Sequence, residues 1–295
     1  MESGHCGLIS ALFCVAFLLG SHVQANEMLW GNPDHMPKAL RDLTKPGIGD
    51  RGLKISNNKI DVDVYGKLRD PNGLKDTVLN VTFFLEQDLH PGKKLKLEFP
   101  KRSSDFTFLP NSLAKITPFS STRLLEILKR FGIEAESTDA KTVKGTLELC
   151  ESPAIKGEEK YCATSLDSLV NFAVLKLGKN IKLLSTELEK ENEKAEEYSV
   201  LKGVTKNGDK AVVCHKLNYP YAVFYCHKVE SRAYNVPLVS IEDGTKAKAL
   251  AICHNNTRHW ASDNPAFMQL NVKPGTVPVC HFLATDTLLW VPGSY

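Results

Sequence analysis

The chain has 295 residues, with 37 Lys+Arg against 34 Asp+Glu and a formal net charge of +3. At 42% hydrophobic and 24% charged residues it has an ordinary globular composition, which excludes disordered, collagen-like and coiled-coil chains. So small a positive excess gives no basis for nucleic-acid binding, and beyond the N-terminal segment no apolar run reaches the roughly 18 residues of a bilayer span.

Residues 1–25 read as a cleaved secretory signal. Leu8–Gly20 is apolar but too short to span, and Val23 and Ala25 supply the small residues a signal peptidase requires. Residues 26–76 read as a short leader rich in Gly and Pro, in which Met36–Leu43 is amphipathic enough for a docking helix; the main domain is assigned to 77–292. Asp76–Leu85 is β-like. The turn His90-Pro91-Gly92 precedes Lys94–Phe99, whose alternation suits a half-buried strand.

Ser121–Phe131 reads as a helix capped by Ser121 or Thr122, with Leu124, Leu125, Leu128 and Phe131 as its apolar stripe and Gly132 as its stop. Ser165–Leu177 reads as a second, with Leu166, Leu169, Val170, Ala173 and Leu177 on one face and Gly178 as terminator. The charged run Glu187–Glu197 reads as a solvated loop or surface helix. From Tyr198 onward the pattern turns to short β-rich runs. The expected class is α+β: a few helices packed on a strand-rich C-terminal half, braced by disulfides.

Loss of the signal takes Cys6 and Cys14 and leaves Cys150, Cys162, Cys214, Cys226, Cys253 and Cys280. An even count in an oxidising compartment reads as a disulfide set, of which six cysteines allow 15 pairings. Cys150 and Cys162 flank an acidic loop and are expected to close it. The sequons at Asn80 and Asn255 agree with that compartment as glycosylation sites.

The informative feature is the set of dipeptides Cys214-His215, Cys226-His227, Cys253-His254 and Cys280-His281. Chance pairing of 8 Cys and 9 His gives about 0.2 such dipeptides. Each ends an apolar β-like run, and neighbours in a strand point to opposite faces. One metal therefore cannot readily take both members of a pair, and oxidation removes the thiolates that Cys-rich zinc sites need. The expectation is a layer of two disulfides with four imidazoles on the opposite face, a donor set suited to copper, zinc or nickel. The alternative is four structural histidines. His90 reads as a turn residue, and His259, beside Trp260, as a candidate fifth ligand. No hydrolase, nucleotide-binding or zinc-protease motif is present, and no residue is singled out as catalytic.

The spacing CH-x10-CH-x25-CH-x25-CH-x8-W, closed by Trp290, resembles the signature of the plant BURP domain. Thr82–Leu97, Phe108–Thr122, Gly157–Leu166 and Asn218–Val229 fit the same family, and the short non-repetitive leader is similar to that of its seed-protein-like and microspore-protein-like members. The resemblance implies a plant protein of the wall, apoplast or storage vacuole, in seed, reproductive or stress development. It implies copper on His215, His227, His254 and His281, disulfides from the paired cysteines, and a cell-wall component or a peptide as partner. Some members are copper-dependent peptide cyclases that join Tyr or Trp side chains, often of a core peptide on the same chain. The leader here offers only Trp30 and Tyr65, neither in a sequence resembling the usual cores.

Overall fold

The computed structural model describes residues 29–30, 35–45, 81–99, 106–154, 156–190 and 194–293. The expected signal peptide, the first residues of the Asp76–Leu85 run, Tyr65 and Asn80 lie outside them. Among the described residues no helix is long and apolar enough to cross a membrane.

In chain order the elements are α1 (Lys38–Thr44), β1 (Phe83–Leu85), β2 (Lys94–Leu97), α2 (Asn111–Ile116), α3 (Leu124–Arg130), α4 (Thr138–Glu151), β3 (Glu159–Ala163) and α5 (Leu166–Leu177). There follow β4 (Ile181–Leu184), β5 (Glu187–Leu188), β6 (Glu196–Val200), β7 (Thr205–Gly208), β8 (Ala211–Lys216) and β9 (Phe224–Val229). The chain ends with β10 (Ser231–Ser240), β11 (Lys246–His254), α6 (Pro265–Leu270), β12 (Val279–Phe282) and β13 (Leu288–Pro292). The strands form two antiparallel sheets. One has the order β1-β12-β11-β10-β6-β2, with β5 on β11 and β7 on β10; the other has the order β3-β9-β8-β13-β4. The α+β class read from the sequence is the observed one.

Strand alternation sorts the apolar residues into layers. Val213, Leu289 and Val291 of the five-stranded sheet meet Ala233, Leu250 and Ile252 of the eight-stranded sheet in one buried cluster, so these faces form the interior of a sandwich. The outer face of the smaller sheet, with Val212, Phe224 and Trp290, is covered by α5 and by α1. Leu95, Leu97, Tyr198, Val236 and Leu238 line the outer face of the larger one. At one end α3, α4 and α6 pack with the segment Tyr219–Val223 and close the sandwich.

The leader helix docks as expected from Met36–Leu43. Leu40 is fully buried and Met36 nearly so, Leu43 accepts a 2.8 Å hydrogen bond from the Phe108 backbone, and Trp30 stands 6.3 Å from Trp290. In α5, Ser165 caps the first turn and Gly178, at φ 89°, ends the helix in a conformation that favours glycine. Ser121–Phe131 needs correcting. Its first turn is a 3-10 segment capped by Ser120, and Ile127, not Leu125, faces the core; Leu125 is 74% exposed. At 100° per residue Ile127 falls in line with Leu124 and Leu128, whereas Leu125 turns outward. The charged run is not a loop throughout either: its ends pair as β5 and β6, with Tyr198 buried beyond it. Helix α4 escaped the sequence reading. Its signals were a Ser137 cap, accepting 3.0 Å from the Ala140 backbone, and the spacing of Ala140, Val143 and Leu147.

Candidate metal centre

Register places the four Cys-His pairs. Cys214 lies directly opposite Cys226 on β8 and β9, and Cys253 opposite Cys280 on β11 and β12; each couple is bonded, with Cα atoms 4.0 Å apart. Cys150 and Cys162 form the expected local bridge. The expectation of disulfides on one strand face and imidazoles on the other holds within each sheet. The two bonds do not form one layer, however. Cys214–Cys226 packs on the outer side of the smaller sheet, and Cys253–Cys280 on the outer side of the larger. The following residue of each pair therefore points between the sheets.

All four imidazoles are buried, with 2% exposure at His215 and His227, 6% at His254 and 3% at His281. They meet as two pairs. Nε2 of His215 is 3.2 Å from Nε2 of His227, and Nε2 of His254 is 3.3 Å from Nε2 of His281, with the rings stacked in both cases. Burial depresses the affinity of His227 for a proton well below that of a free imidazole, and the nearby His215, His254 and His281 depress it further. His227 is therefore held in the neutral form, the state in which imidazole binds metals.

Three of the four outer nitrogens face polar groups. His254 Nδ1 lies 3.3 Å from the Ser231 hydroxyl, and His281 Nδ1 lies 3.2 Å from the Phe282 carbonyl oxygen. Since a carbonyl only accepts, His281 donates through Nδ1 and keeps its lone pair on Nε2. His227 Nδ1 faces the Glu158 carboxylate at 3.8 Å. The inner nitrogens are thus left for one another or for a ligand. Two nitrogens bound tetrahedrally to one ion at about 2.0 Å stand about 3.3 Å apart, the spacing found within each pair. Among the described residues no group of three or more His, Cys, Asp or Glu has the spacing of a single closed metal site. The donor set fits a metal as two two-nitrogen bites, and it serves equally as two imidazole–imidazole hydrogen bonds.

Aromatic rings wall the histidines toward the closed end. Tyr225 lies 5.7 Å from His227 and Trp260 lies 4.9 Å from His254, ring centre to ring centre. Burial, and next the Glu158 carboxylate, keep the Tyr225 phenol protonated. His259 is exposed and takes no place in the site; its neighbour Trp260 does, because the turn closed by the 3.1 Å bond from the Trp260 backbone to the Thr257 carbonyl puts Arg258 and His259 outside and the indole inside. His90 lies in the expected turn, and Asn255 is exposed one residue beyond His254. Glu158, Ser231, Tyr225 and Trp260 were not picked out from the sequence. Tyr225, two residues before His227, could have been found from strand alternation, whereas Glu158 and Ser231 reach the site only through cross-strand pairing.

Fold and site together define an α+β sandwich domain braced by disulfides on its outer faces and carrying two imidazole pairs between its sheets. A family model for the BURP domain matches residues 82–292, and the chain belongs to that family. It is 46% identical over 234 residues to BURP domain protein RD22 of Arabidopsis thaliana, covering 77% of this chain and 59% of that protein. It is 44% identical over 289 residues to BURP domain-containing protein 5 of Oryza sativa subsp. japonica, covering 92% of this chain and 88% of the other. BURP domain-containing protein 6 of the same rice is 42% identical over 260 residues, covering 87% and 99%. The chain thus spans about three fifths of the length of RD22 and nearly all of the two rice proteins.

Proposed function

We propose that this BURP-domain protein is a copper-binding protein of the plant secretory pathway, destined for the wall, apoplast or storage vacuole. The observation that carries this reading is the inward pairing of four buried imidazoles at 3.2 and 3.3 Å, with every cysteine of the motif tied into a disulfide. Without thiolates the donor set is all nitrogen, which favours Cu(II) over the softer sites of Cu(I) and structural zinc. His215 with His227, and His254 with His281, would hold the metal. Three disulfides support an oxidising compartment. The test is a competitive copper titration of the purified protein, with metal analysis after gel filtration. Stoichiometric copper that disappears in a His227→Ala/His254→Ala variant of unchanged fold supports the reading, and a wild-type protein that elutes without copper overturns it.

A second reading, oxidative crosslinking of Tyr or Trp side chains in a peptide, draws on the same donors. Copper bound there would supply one-electron redox chemistry, and a phenol and an indole already lie against His227 and His254. Trp30 is badly placed to be the substrate. It packs near Trp290 on the cysteine-bearing outer face, with the five-stranded sheet between it and the imidazoles. A core peptide for this activity would come from outside the docked leader segment.

A further inference from the structure

The two imidazole pairs are not equivalent on their outer sides. Ser231 and the Phe282 carbonyl stand behind His254 and His281, both neutral, whereas a carboxylate stands behind His227. Glu158 Oε2 lies 3.8 Å from His227 Nδ1, with the two side chains only 15% and 3% exposed. It approaches the nitrogen that points away from His215, so it does not compete for the inner position.

The surrounding chain is built to hold that carboxylate. Glu158 follows Gly157, whose φ of 88° turns the chain into β3, where Lys160 is the direct register partner of His227. The Lys160 ammonium donates to the Leu149 carbonyl at 2.7 Å and to the Ser152 hydroxyl at 3.0 Å, and lies 5.5 Å from the centre of the Tyr225 ring. The Cys150–Cys162 bond then closes the loop that carries Glu158. These ties fix the start of β3 from two sides and direct a largely buried anion at one imidazole of the four.

The geometry points to Glu158 as a positioning residue for His227. Its carboxylate takes the Nδ1–H bond, after a small side-chain rotation, and thereby holds the tautomer in which Nε2 faces inward with its lone pair. An imidazole that donates to a carboxylate is a stronger ligand, and its single negative charge offsets part of the charge of a divalent ion. The His215–His227 pair is therefore the tighter of the two copper positions. This inference rests on the copper reading above.

The experiment is a chelator-competition titration with Cu(II), followed by electron paramagnetic resonance of the loaded protein, on wild type, Glu158→Gln and Glu158→Ala. Circular dichroism and a thiol count establish that each variant is folded and oxidised. A 10–100-fold weaker tight site in Glu158→Ala, a smaller loss in Glu158→Gln and an altered copper spectrum are expected. If Glu158→Ala does not fold, the isosteric Glu158→Gln decides. Histidine-dependent copper binding with affinity and spectrum unchanged in both variants overturns the role of Glu158 and leaves the copper centre standing. A wild-type protein that binds no copper overturns both.

Discussion

His215 and His227 meet through their Nε2 atoms at 3.2 Å although they are not register partners: His227 lies opposite Val213, and His215 opposite Tyr225. Their contact is a diagonal across the ladder, and the direct pair it spans is Cys214–Cys226, bonded on the other face. His254 and His281 repeat the arrangement around Cys253–Cys280. Because a one-residue slip moves every side chain to the opposite face, each disulfide locks the register that keeps two imidazoles inside the sandwich.

Removing one clamp should therefore weaken both fold and site. The double variant Cys214→Ala/Cys226→Ala, which opens a loop of sequence separation 12, is expected to lose about 3 kcal/mol in urea denaturation. Its copper affinity should fall as well. Retained affinity at reduced stability would show that the imidazoles find each other without the clamp.

Stability should decline in mild acid. The proton affinity of His227 is depressed in the folded state, first by burial and then by the other three histidines, so below about pH 6.5 the unfolded chain takes up protons that the native one excludes. Its contribution is intact above about pH 6.5 and is lost as pH falls toward the depressed native value, with a slope of at most about 1.4 kcal/mol per pH unit for one proton. Urea midpoints of the metal-free protein at about pH 7.5 and pH 5 measure this, and a His227→Phe variant should flatten the difference.

The leader helix should contribute as a piece of the core. Leu40→Ala is expected to cost about 2–5 kcal/mol, because the side chain is fully buried beneath α1. Lys45→Ala removes only an exposed bridge to Asp42 and should shift stability by less than about 0.5 kcal/mol. Equal effects would mean that α1 lies on the domain without supporting it.

Incubation of the secreted protein with Cu(II) and oxygen should leave Trp30 unmodified in peptide fragmentation spectra, since a sheet separates it from the histidines. A loss of two hydrogens mapped to Trp30 would require α1 to undock before reaction.

Asn255 is exposed at the end of β11, directly after His254. Expression through a secretory pathway should add one glycan there, read as a mass shift removed by endoglycosidase and absent in Asn255→Gln.

Much of this molecule was legible in its sequence because its signals are local. Period-2 alternation at four Cys-His dipeptides is enough to put thiol and imidazole on opposite strand faces, and Ser165 with Gly178 brackets α5 without reference to the rest of the chain. The cap and spacing of α4 are equally local. Other features depended on partners distant in sequence. Leu125 and Ile127 compete for the inward position of α3, and only the sheet end against which that helix packs decides between them. The charged run after Glu187 becomes strand at its ends because β10 and β11 offer it edges. Residue order alone determined that each cysteine and its histidine must part company across a strand. Whether the four imidazoles would stay apart or gather was decided by the packing of two sheets with their histidine-bearing faces together, and by cross-strand register that brings Glu158 and Ser231 behind them. Strand alternation is set by the covalent geometry of one chain segment, whereas the pairing of segments depends on burial summed over the whole chain.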